Sequence, residues 1–210
     1  MKILFYGDSI TDSMRNRNTD VYTGALGCGY PLFVAGELRK YAPKEYAILN
    51  RGISGNRIVD LYARIKADVW NLEPNVLSIL IGINDIWHEL GAKNGVDLER
   101  FEKVYRILLD DTKKRLPDTK IMLCEPYVLH GTATDEKWDE FNKVRDYAKV
   151  VKNLATEYGL YFVPLQDKLD ELSEQFGADA YAEDGVHPTP AGAKVIADEW
   201  LKVFKEQVEK

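Results

Sequence analysis

Five short, almost uninterrupted apolar runs constrain this chain more than any other feature. They fall at residues 3–6, 47–49, 76–81, 121–124 and 160–163. A strand with one wet face alternates apolar and polar side chains. Runs this continuous read instead as strands covered on both faces, the condition of a parallel sheet between two layers of helices.

The segments between the runs carry the helical period. Ile58, Leu61, Tyr62, Ile65 and Val69 form one stripe, and Leu98, Phe101, Val104, Tyr105 and Leu108 a second. A longer stripe through Trp138, Phe141, Val144, Ala148, Val151, Ala155 and Tyr158 predicts one helix stopped by Gly159. The last helix starts at Thr189-Pro190, an N-cap followed by proline, with a stripe of Ala193, Ile196, Trp200, Val203 and Phe204. Strands alternating with helices predict an α/β fold. The most economical arrangement is a flavodoxin-like three-layer α/β/α sandwich on a five-stranded parallel sheet, with residues 1–210 as a single domain.

Composition narrows the function. A formal net charge of −6 repels phosphate backbones, so no nucleic-acid partner is expected; strongly anionic substrates are mildly disfavoured for the same reason. Near the C-terminus, lysines 202, 205 and 210 alternate with glutamates 206 and 209, the pattern of a solvated helix face. The first apolar run is too short for a secretory segment, and no run approaches a membrane span, so a cytoplasmic location and no membrane partner are expected. Cys28 and Cys124 are far apart and make no CxxC pair, which predicts reduced thiols. Without HxH or HExxH spacing among three histidines, no metal and no cofactor are expected.

In a sheet of this kind, ligands bind beyond the carboxyl ends of the strands. There the sequence places Gly7-Asp8-Ser9-Ile10-Thr11, Arg51-Gly52-Ile53-Ser54-Gly55-Asn56, Gly82-Ile83-Asn84-Asp85 and Asp184-Gly185-Val186-His187-Pro188. Ser9 supplies a hydroxyl and His187 an imidazole able to take its proton. Asp184, three residues before His187, can reach Nδ1 and fix the tautomer. Backbone N–H groups of Ser9 and Gly52 with the Asn84 amide would make an oxyanion hole. Asp8 is expected chiefly to hold its loop together. Asp8, Arg57, Trp87 and Tyr181 are also candidate substrate contacts. His88 is expected at the entrance at most, and His130 in a loop. The segments 11–30, 86–96 and 126–136 are expected to rim the pocket.

Gly7-Asp8-Ser9-Ile10, Gly52, Gly82-x-Asn84-Asp85 and Asp184-x-x-His187 resemble, in order, the sequence blocks of the SGNH hydrolases, or GDSL esterases. Ile10 stands where the name-giving motif has leucine. The resemblance implies the SGNH hydrolase fold and a serine esterase acting through an acyl-enzyme. The segments 27–30, 50–56 and 81–87 resemble more narrowly the bacterial intracellular acetylxylan esterases. This implies an acetylated xylo-oligosaccharide or related sugar as the small-molecule partner, and a homo-oligomer. Lysophospholipase or thioesterase activity and a non-catalytic carbohydrate-binding module are the alternatives that this fold leaves open.

Other classes lack their signatures. An α/β-hydrolase needs GxSxG and a P-loop protein GxxxxGK[ST]; the chain has neither. A phosphoacceptor module on Asp8 would bind Mg²⁺ and take up phosphate.

Overall fold

The structure is a computed structural model and describes residues 1–20 and 23–209. Residues 21 and 22 of the expected rim segment 11–30, and Lys210 of the C-terminal charge alternation, lie outside it.

In chain order the elements are β1 (Lys2–Gly7), α1 (Ser9–Asp12), α2 (Tyr30–Arg39), β2 (Ala47–Gly52), α3 (Ile58–Asp68), β3 (Val76–Leu80), α4 (Ile83–Ala92), α5 (Leu98–Arg115), β4 (Lys120–Cys124), α6 (Trp138–Phe141), α7 (Val144–Tyr158), β5 (Tyr161–Val163), α8 (Gln166–Phe176) and α9 (Pro190–Val203). All strand pairs are parallel, in the order β2-β1-β3-β4-β5. This is the expected flavodoxin-like sheet. All five apolar runs contribute a strand, and β1 from Ile3 onward and all of β3 are buried.

Helices α3, α5 and α7 pack side by side, while α2 and α8 contact α9. Leu61, Ile65, Phe101, Leu108, Val144 and Val151 point their stripes into a core that also holds Ile196 and Trp200. The one polar residue within β3, Ser78, is satisfied: Trp200 Nε1 donates to its Oγ at 2.9 Å. Thr189 caps α9 through its hydroxyl, which accepts from the Gly192 N–H.

Two expectations are corrected. The stripe from Trp138 to Tyr158 is not one helix but α6 and α7, broken at Asn142-Lys143. Tight i→i−3 bonds wind the chain there, with Lys143 N–H on Glu140 O, Arg145 N–H on Asn142 O and Asp146 N–H on Lys143 O. The apolar stripe survives the break, because Phe141, Val144, Ala148, Val151 and Ala155 are all buried. The segment 86–96 is largely helix rather than rim loop, since α4 continues to Ala92. Ile83 and Ile86 are buried and Leu90 packs partly against the core, a short stripe at helical spacing.

The strands end in one row. Gly7 lies in register with Gly52 on one side and Leu80 on the other, Leu80 with Cys124, and Cys124 with Val163. The loops after these residues therefore leave from a common rim.

Candidate active site

Ser9 opens α1, one residue past β1. Asp8 caps this single turn, accepting the Ile10 N–H at 3.0 Å through Oδ1. The hydroxyl of Ser9 lies 2.8 Å from His187 Nε2. On the other side of the ring, Nδ1 lies 2.6 Å from Asp184 Oδ2. Residues 178 positions apart thus form a continuous hydrogen-bonded chain of hydroxyl, imidazole and carboxylate.

The loop bearing Asp184 and His187 is braced from within and from below. Asp184 Oδ1 accepts the Val186 and His187 N–H groups at 2.9 and 2.7 Å, an Asx turn that sets the carboxylate under the ring. The segment after β4 runs alongside: Leu129 N–H donates to Gly185 O, Thr132 N–H to Glu183 O and Ala133 N–H to Asp184 O. Tyr127 adds its hydroxyl on Val186 O at 2.9 Å. Gly185 is needed here, because φ is +87° and a Cβ would collide with Leu129 O and the Thr134 side chain.

Electrostatics follow from these contacts. Burial pushes the Asp184 carboxyl up, but bonds from the His187 ring and from the Val186 and His187 N–H groups outweigh it and hold Asp184 below its ordinary range. The His187 imidazole is raised, first by its hydrogen bond to Asp184, against partial burial, and then by the charges of Asp184 and Asp8. Asp8 is 1% exposed, and burial lifts its carboxyl to about 7 against the Ile10 N–H and the His187 charge. Its Oδ2 has no hydrogen-bond partner among the described residues.

The candidate oxyanion donors do not fall where the sequence placed them all. The Gly52 N–H is taken by Asn50 Oδ1 at 2.8 Å, and its Cα lies so close to the Asp12 backbone that a Cβ would collide. Gly52 is a strand residue packed under α1, not a free donor. Gly55, three residues on, sits in the turn before α3 with φ +82°. Among the described residues its N–H has no hydrogen-bond acceptor. Asn84 Nδ2 donates to Asn56 O at 3.1 Å, so the same turn meets the start of α4. The signal that separates the two glycines is register: Gly52 still continues a strand pattern, whereas Gly55 follows Ser54 in the turn.

Of the candidate substrate contacts, Trp87 lies at the site. Its ring centroid is 5.9 Å from that of His187, and 5.5 Å, edge-on, from Phe141. The other three are engaged in the fold. Asp8 is the buried cap just described. Arg57 is held by Asp60, through Nε at 2.9 Å and Nη2 at 3.1 Å, and reaches Asn94 O. Tyr181 packs partly against the core, and its carbonyl accepts the Thr189 N–H. Asp85 is buried and caps α3, accepting the Ile58 N–H at 3.1 Å. His88 is half-buried beside Gly55.

This geometry is accompanied by a match to a family model. The GDSL-like lipase/acylhydrolase model covers residues 5–195. The chain belongs to that family. It is 36% identical to an acetylxylan esterase from Geobacillus stearothermophilus over 96% of this chain and 92% of that one. The crystal structure of that esterase superposes with a TM-score of 0.86 and 36% identity, covering 96% of this chain and 93% of the other. A structure from Parabacteroides merdae, described as a GDSL-like lipase, gives a TM-score of 0.92 at 38% identity, covering 97% and 95%. The family consists of hydrolases of acyl esters, and this member is a serine esterase. No helix among the described residues is long and apolar enough to cross a membrane.

Proposed function

We propose that this esterase removes short acyl groups, acetyl in particular, from acetylated xylo-oligosaccharides or closely related sugars, with Ser9 as nucleophile, His187 as general base and Asp184 as its orienting carboxylate. The observation that carries the reading is the unbroken chain from Ser9 Oγ through His187 to Asp184. The Geobacillus relative supports it. Its structures include catalytic mutants of a serine, an aspartate and a histidine, the last two three positions apart, as Asp184 and His187 are.

In the reaction, Ser9 Oγ attacks the ester carbonyl as its proton passes to His187 Nε2. Asp184 stabilises the imidazolium, already favoured by the raised basicity of the ring. The Ser9 and Gly55 N–H groups and the second hydrogen of the Asn84 amide stabilise the oxyanion. The tetrahedral intermediate collapses, the C–O bond to the sugar breaks, and His187 returns the proton to the departing alkoxide. Water then attacks the acyl-enzyme by the same route, releasing the acid and Ser9. With this reading go a cytoplasmic setting and a homo-oligomer.

Hydrolysis of p-nitrophenyl acetate, butyrate and octanoate, with acetylated xylobiose beside them, tests the proposal. The expected result is cleavage of acetate and of the sugar ester, with kcat at least about 10³-fold lower in Ser9→Ala and His187→Ala. Rates rising with chain length, or persisting in Ser9→Ala, overturn it.

A further inference from the structure

At the outer edge of the sheet, on the β2 side, lies a cleft of about 590 Å³ lined by Arg15, Arg17, Asn18, Asp20, Arg51 and Asp68. That volume lies in the range of small-molecule sites. Four guanidiniums gather around it, counting Arg64, against three carboxylates. Arg51 makes two bonds to Asp20, at 2.6 and 2.8 Å. Arg64 is paired with Asp68 at 2.6 Å. Arg17 is paired with Asp12, whose Oδ2 also accepts the Ser54 N–H and hydroxyl, each at 2.9 Å.

Among the described residues, Arg15 is the guanidinium of this cluster with no carboxylate oxygen at hydrogen-bond distance. Its side chain is 5% exposed, and its nearest carboxylate oxygen, Asp12 Oδ1, is 3.9 Å from Nε. Nε donates to Gly52 O at 2.8 Å. Its two terminal nitrogens have no hydrogen-bond acceptor among the described residues. Burial, and then the neighbouring arginines 51, 17 and 64, depress its basicity against the pull of Asp12, so an added anion would relieve like-charge crowding. A guanidinium with one nitrogen fixed and two unused offers parallel donors that match a carboxylate. A single surplus charge, with Asp20 and Asp68 nearby, favours a monoanion over a dianion.

The cleft is tied to the site through the chain. Arg15 follows α1 by three positions, and its acceptor Gly52 is in register with Gly7, two residues before Ser9.

We propose that this cleft is a carboxylate subsite, in which Arg15 receives the uronate of an acidic sugar carried by the acylated oligosaccharide. The proposal rests on the sugar-esterase reading above for its substrate, but not for binding of the anion. It also reverses, locally, the expectation that an acidic chain disfavours anionic substrates.

Two arms test it. Wild-type enzyme is titrated with glucuronate, glucose, acetate and inorganic phosphate, reading thermal shift. Glucuronate should stabilise, glucose should not, and the effect should fade with added salt. In the second arm, kcat/KM is compared for acetylated xylotriose with and without a glucuronate branch. The acidic substrate should be favoured by at least about tenfold, and Arg15→Met should remove that preference while p-nitrophenyl acetate hydrolysis persists. Equal kcat/KM on the two sugars, with no glucuronate shift, overturns the subsite and leaves the esterase reading intact. Phosphate stabilising more than glucuronate overturns the carboxylate assignment. A glucuronate shift in an enzyme that cleaves no acetylated sugar supports the subsite and removes the esterase reading. The first arm needs no variant, so an Arg15→Met chain that fails to fold still leaves the proposal open to refutation.

Discussion

The side-chain amide of Asn84 donates to the Asn56 carbonyl at 3.1 Å, joining the first turn of α4 to the turn between β2 and α3. One amide hydrogen is spent on this latch; in the proposed mechanism the second meets the substrate oxygen. Asn84→Ala therefore removes an oxyanion donor and unlatches the Gly55-Asn56 peptide together. We expect kcat to fall about 10²–10³-fold, with KM within a few-fold of wild type and thermal stability little changed. The two glycines should separate in the same assays. At Gly52 a Cβ meets the backbone of Asp12 and Thr11, so Gly52→Ala should lower the melting temperature sharply. At Gly55 a Cβ has only ordinary contact with the His88 ring, 3.8 Å from Nε2, and the cost is the +82° φ. Gly55→Ala should lose kcat by misplacing its N–H, with a smaller loss of stability, about 1–2 kcal/mol.

The imidazole predicts a pH profile. In the proposed mechanism its neutral form is the base, and the bond to Asp184 raises it above the ordinary histidine value of 6.5. Activity should fall as pH drops through that raised value. In Asp184→Asn the charge is gone, and the amide N–H facing Nδ1 favours the wrong tautomer, for a loss of up to about 10⁴-fold in kcat. The residual kcat/KM profile should have its acidic limb at lower pH than wild type. A limb that stays in place would mean that another group raises His187.

Below the loop, Tyr127 is 1% exposed and its hydroxyl is the brace on Val186 O. Tyr127→Phe leaves that buried carbonyl short of a donor, which costs about 1–3 kcal/mol. Because Val186 precedes His187, kcat should fall several-fold as well. Thermal melts and steady-state kinetics on the same preparation check both.

What the sequence disclosed divides along physical lines. The inner strands β1, β3 and β4 were legible because burial on both faces leaves an unbroken apolar run, whereas the edge strands β2 and β5 are partly exposed. Ser9, Asp184 and His187 were legible because their chemistry is carried by residue type and by a three-residue spacing that a turn can close. The break between α6 and α7 was not, since both halves keep one apolar phase and the kink lies in i→i−3 bonds that leave no mark on it. Helix α4 reads as a rim loop in the sequence because its stripe is only Ile83, Ile86 and Leu90. Gly52 reads as a donor from residue type alone; that it ends a strand, with the Asn50 side chain folded back onto its N–H, while Gly55 lies in the turn beyond, becomes visible only in the fold. Arg57 and Tyr181 look like substrate ligands in a list of loop residues; their partners Asp60, Asn94 and Thr189 become visible only in three dimensions.

Asp8 gives a prediction about stability rather than rate. Burial lifts its carboxyl from 3.8 to about 7 in the folded protein, and Oδ2 finds no donor among the described residues. A folded-state value above the unfolded one means that the native state holds the proton more tightly. The stabilisation is then complete below about pH 3.8, and is lost progressively as pH rises through about 7. Taken alone, the shift amounts to roughly 4 kcal/mol between those limits, from about 1.4 kcal/mol for each pH unit. Asp8→Asn keeps an oxygen for the Ile10 N–H and removes the ionisation. The variant should start below wild type at pH 4, because its amide N–H has no acceptor in that buried position. It should then gain on wild type as pH is raised to 8. Urea denaturation at pH 4, 6 and 8 measures the difference; a constant gap across the three would show that Asp8 holds the same protonation state folded and unfolded.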